Sequence, residues 1–98
     1  MSAFQRAELP VEAQPFLQRY EAAHSDLMGA LAEFSLGSAG RSPVRRDALK
    51  ARVAVEGDLL TAATGYKPIA VSGTKIVYQV ASESERAAAS AAAGKLVG

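Results

Sequence analysis

The stretch LQRYEAAHSDLMGALAEF, Leu17 to Phe34, decides how this chain is read, because Leu17, Tyr20, His24, Leu27, Leu31 and Phe34 recur at alternating spacings of three and four. Only an α-helix places those six side chains on one stripe. The outward positions hold Gln18, Arg19, Ala22, Ser25, Asp26, Gly29 and Glu33, which suits a solvated face. Phe16 and Met28 widen the apolar side, and Ala23 and Ala30 keep it low enough for close approach. Such a stripe has to be covered, by a second helix, by another copy of the chain or by a different protein.

Upstream lie Pro10 and Pro15, which cannot both occupy a first helical position, and a proline inside a helix costs about 3 kcal/mol. The spacing therefore predicts a turn over Pro10 to Gln14 and a helix from Pro15 to about Leu36. Phe4 is expected to fold back as a latch. Gly37-Ser38-Ala39-Gly40 ends the helix and forms a short joint. Ser42-Pro43 then opens a second helix, with Ser42 as cap and Pro43 at the first helical position, running to about Ala63 with Gly65 as its stop. A joint this short favours an antiparallel αα-hairpin.

In the second helix, Ala48, Leu49, Val53, Val55, Leu59, Leu60 and Ala63 spread over a wide arc into which Arg45, Arg52 and Glu56 project. Arg52 and Glu56 are four apart. They can pair with each other, lay their stems across the core edge with their heads in water, or reach a charged partner across an interface. Gly57 suggests a close crossing or a bend.

From Tyr66 the period changes to two. With Ser72-Gly73 as a two-residue turn, Val71 faces Thr74 and Ile69 faces Ile76. Ile69, Val71, Thr74, Ile76, Tyr78 and Val80 then share an apolar face, while Ala70, Lys75, Val77 and Gln79 point away. An isolated hairpin is barely stable, so this face packs on the helices or an edge pairs with another chain, and Val77 on the outward face favours the latter. Ser82-Glu83-Ser84-Glu85 matches a capping box and opens an Ala-rich helix through Ala93, stopped by Gly94. A helix with so little side chain to bury is marginal alone, so its order implies close packing, with another subunit the first expectation.

The expected fold class is α+β: an antiparallel αα-hairpin, a two-stranded β-hairpin and a short C-terminal Ala-rich helix. It forms one small domain over 1–98, with an arm at 1–14, the two hairpins at 15–80 and the tail at 81–98. Ninety-eight residues, 49% hydrophobic and 21% charged, suffice for one modest core. A net charge of +1 supplies no overall attraction to nucleic acid or an anionic membrane. With no cysteine and one histidine, disulfides, thiolate zinc sites and paired-histidine metal sites are excluded, and no cofactor or metal is expected. Residues Met1 to Leu9 do not read as a secretory signal, and no apolar run approaches the ~20 residues of a membrane span. A cytoplasmic location, or the cytoplasm of an infected host, is the expectation.

No carboxylate pair, nucleophile with a base, or phosphate loop can be assembled, since Gly37 to Ser42 lacks the spacing and the lysine of a nucleotide-binding loop and His24 lies in a helix seam. His24 is expected at the core edge with one ring nitrogen bonded to a carbonyl or to water. A pH switch or a register-setting contact between copies is the alternative. The resulting expectation is a small non-enzymatic assembly or adaptor module, homo-oligomeric and suited to a structural or accessory subunit of a virus or mobile element. Its expected interface is Leu17, Tyr20, His24, Leu27, Leu31, Phe34 and Val77. The alternative is a small DNA-binding regulator contacting nucleic acid through Arg41, Arg45, Arg46, Lys50 and, with the hairpin as a wing, Lys75. Asp47, Glu56 and Asp58 dilute that basic cluster.

Overall fold

The computed structural model describes residues 3–35, 43–72 and 75–97. Two 3₁₀ turns, Arg6–Glu8 and Val11–Ala13, lead into α1 (Gln14–Ser35); α2 (Pro43–Thr64), β1 (Tyr66–Ser72), β2 (Lys75–Val80) and α3 (Glu83–Val97) follow. The fold is α+β. The expected turn over Pro10 to Gln14 is the second 3₁₀ turn, which runs straight into α1 and puts Pro15 in that helix's first turn. The joint at 36–42, with Arg41 and the Ser42 cap, lies outside the described residues, as do Gly73 and Thr74 of the expected hairpin turn.

Helices α1 and α2 run antiparallel, as two ion pairs between them show. The Arg19 guanidinium meets both oxygens of Glu56, at 3.0 Å each, and the Arg52 guanidinium meets Asp26 at 2.8 Å. Advancing seven residues along α1 thus means retreating four along α2. Arg52 and Glu56 thus do not pair with each other: each meets an oppositely charged residue of α1. Beside the first of these pairs Gly57 sits against Tyr20, where an added Cβ would lie 3.3 Å from the ring. The glycine marks the expected close crossing.

The core joins Leu9, Ala13, Leu17, Tyr20, Leu60 and Tyr78, with Phe4, Phe16, Val53, Tyr66 and Ile76 packed around it. It therefore draws on the arm, both long helices and the hairpin. Gly65, at φ +78°, returns its N–H to the Thr61 carbonyl and ends α2 where expected.

The hairpin differs from the expected register by one residue. Ile69 faces Val77, Pro68 faces Tyr78 and Tyr66 faces Val80. Ser72 opposite Lys75 leaves Val71 as an extra residue on β1. Such a bulge is what converts one register into the other. The reason lies in Tyr78 and Pro68. The Tyr78 N–H and C=O bond outward, to Phe4 at 2.9 and 2.7 Å, so its facing pair exchanges no ladder bonds and Pro68 loses none by lacking an N–H. Ile69 consequently joins Val77 on the second face, and Val77, expected to point outward, is 8% exposed. The Phe4 latch is real: beside the two backbone bonds, its ring meets Tyr66 edge to face at 6.1 Å.

Helix α3 opens with the expected capping box, Ser82 N–H to Glu85 at 3.0 Å and Glu85 N–H to Ser82 Oγ at 3.1 Å. It does not stop at Gly94 but continues to Val97, because Gly94 keeps a helical φ; among the described residues only Gly65 is positive. Ala89 and Ala93, four apart, are buried on the side packed along α2. The cover that an Ala-rich helix needs is supplied within the chain.

Candidate functional site

The α1 stripe is largely closed over by the chain's own elements. Leu17, Tyr20, His24 and Leu27 are buried and Leu31 is half-buried, while the side chain of Phe34 lies outside the described residues. Val77 is buried as well. Leu17, Tyr20, His24, Leu27 and Val77, expected to meet a second copy, are covered by the rest of their own chain.

His24 is 6% exposed and stacks on Tyr20, with ring centroids 6.2 Å apart and an interplanar angle of 18°. Its Nδ1 is buried with no hydrogen-bond partner among the described residues. Beyond it the arm, α1 and β2 meet in a polar cluster. The Tyr78 hydroxyl donates to Glu21 at 2.8 Å, the other Glu21 oxygen takes Arg6 at 3.3 Å, and Gln14 donates to the Arg6 and Leu9 carbonyls. Burial, with the Glu21 carboxylate beside it, pushes the Tyr78 phenol up, and burial raises Tyr20 too. The Tyr78 phenol stays a protonated donor to Glu21, and Glu21 in turn holds Arg6 of the arm.

Arg45, Arg46 and Lys50 lie in the first part of α2, and Lys75 opens β2. Arg45, Lys50 and Lys75 are exposed, Arg46 lies 3.6 Å from Asp47, and Arg52 is committed to Asp26. No group of three or more His, Asp or Glu side chains able to hold a metal occurs among the described residues. Among them, too, no helix is long and apolar enough to cross a membrane.

A concave site stays open among the described residues. A groove of about 410 Å³ runs between the second 3₁₀ turn and the end of α2, lined by Pro10, Glu12, Ala13, Phe16, Ala63, Thr64 and Tyr66. Its volume falls within the range of ligand and side-chain pockets. Pro10 is pinned by the Ala13 N–H to its carbonyl at 3.0 Å. The groove's other wall is set by the Thr64 hydroxyl, which donates to the Leu60 carbonyl and accepts the Tyr66 N–H. That one hydroxyl ties the end of α2 to the start of β1. Val11, between two lining residues in the chain, is 77% exposed.

Sequence reading missed this groove because its walls come from segments some fifty residues apart, 10–16 and 63–66. The available signal was local: Val11 is apolar within a turn that no helical stripe claims. No protein-family model matches the sequence, and no curated protein or solved structure is significantly similar to it.

Proposed function

We propose that this chain is a small non-enzymatic assembly module that works by protein–protein association, with copies of itself as the simplest partner. The observation that carries this reading is the apolar groove with Val11 standing exposed beside it. A chain that covers its most hydrophobic helix face from within leaves this concavity uncovered, and contiguous exposed apolar surface marks association sites. The phenyl of Phe16 and the ring of Tyr66, both half-buried, offer the kind of aromatic anchor that dominates interface energetics.

The mass in solution tests the reading. By light scattering over a hundredfold dilution, the chain is expected to associate at high concentration, and Val11→Asp, at an exposed position, is expected to shift it to monomer with its fold intact. A chain that is monomeric throughout would sink self-assembly. The nucleic-acid alternative makes a different demand: binding that weakens steeply with salt and vanishes on Arg45→Glu with Arg46→Glu. It is the weaker reading, because Asp47, Glu56 and Asp58 dilute the basic cluster and Arg46 lies against Asp47.

A further inference from the structure

The two ends of α2 complement each other. At the groove end stand Glu12, exposed and without an ion-pair partner among the described residues, and the last carbonyls of α2. A helix leaves its last four carbonyls without intrahelical donors and carries partial negative charge there. Thr61 is served by the Gly65 N–H and Ala62 by the Arg86 guanidinium, while among the described residues no donor reaches the carbonyls of Ala63 and Thr64, residues that line the groove. The groove is thus apolar, aromatic and negative.

At the other end of α2, Val44 is 77% exposed beside Arg45, which is exposed and has no ion-pair partner among the described residues. Lys50 follows one to two turns later, also exposed. The helix dipole adds partial positive charge at this end. An exposed apolar residue flanked by cations matches a groove that offers apolar walls and a carboxylate. Across the 22 residues of α2, at 1.5 Å each, the two ends lie about 33 Å apart, so no copy can fill its own groove.

We infer that the chain assembles head to tail, the start of α2 of one copy seating in the groove at the end of α2 of the next. Val44 packs on the apolar lining, while the Arg45 guanidinium meets Glu12 and the last carbonyls of α2. The contact joins two different surfaces, so each added copy leaves one head and one groove free, and growth ends only where a ring closes. This rests on the groove being the association surface proposed above, and supplies its partner.

Charge reversal tests it on the full chain. Glu12→Arg and Arg45→Glu both alter exposed residues without an ion-pair partner among the described residues, and circular dichroism is the check that each variant folds. Light scattering across a hundredfold dilution is expected to show the unaltered chain growing past two copies. Each single variant should need at least ~10-fold more protein to associate, and the double variant Glu12→Arg with Arg45→Glu, which restores opposite charges across the contact, should regain association. An unaltered chain that stays monomeric overturns both this inference and the association reading. Association that both single variants leave unchanged overturns the head-to-tail contact alone, and single variants that lose association without recovery in the double variant overturn the pairing of Arg45 with Glu12.

Discussion

His24 shows how a single polar residue is tolerated in an apolar seam. Its ring fills space against Tyr20, and its orphaned Nδ1 costs stability, since a buried unsatisfied group forfeits roughly 1–3 kcal/mol. Replacing it by Leu is expected to raise stability by about 1 kcal/mol, read as a higher thermal midpoint, with solution mass unchanged. A drop in the midpoint would show that stacking outweighs the orphaned nitrogen. Two glycines on the long helices make a second comparison at this scale. At Gly29 a Cβ meets nothing within 4 Å, so Gly29→Ala is expected to gain up to about 1 kcal/mol of helix propensity. At Gly57 the Cβ meets the buried Tyr20 ring, and Gly57→Ala is expected to lose stability instead. Chemical denaturation of the pair measures the difference directly.

Among the elements, α3 depends most visibly on one group. Glu85 accepts from Lys67 of β1 and from the Ser82 N–H, and these bonds, the Lys67 one foremost, hold its carboxyl down to about 2 from an ordinary 4.5. A carboxylate held below its unfolded value contributes stability above about pH 4.5 that is lost as pH falls toward 2. Helicity followed by circular dichroism is therefore expected to decline across that window, and Glu85→Gln is expected to flatten the decline. The capping box was legible because its four residues are contiguous, and the helix periods of α1 and α2 because each repeats over several turns. The hairpin register was not, because alternation alone fits two registers that differ by one residue. What selects between them is the outward pairing of Tyr78 with Phe4, seventy-four residues away in the chain. The Glu21–Tyr78 bond was hidden for the same reason.

For the whole molecule, the apolar residues that dominate the sequence are not the ones left for a partner. The stripe from Leu17 to Leu27 is covered by the chain that carries it, and among the described residues the exposed apolar surface includes Val11 beside the groove, Val44 at the far end of α2, and Val71 and Val80 on the hairpin. Periodicity identifies what a chain buries; exposure in the folded state identifies what it offers. The most direct test is the change in backbone amide shifts on dilution, recorded by ¹⁵N–¹H correlation NMR. The account predicts concentration-dependent shifts concentrated at residues 11–16 and 63–66 and at 44–50. Shifts running instead along Leu17, Tyr20, Leu27 and Leu31 would mean that α1 opens to meet a second copy, and would contradict it.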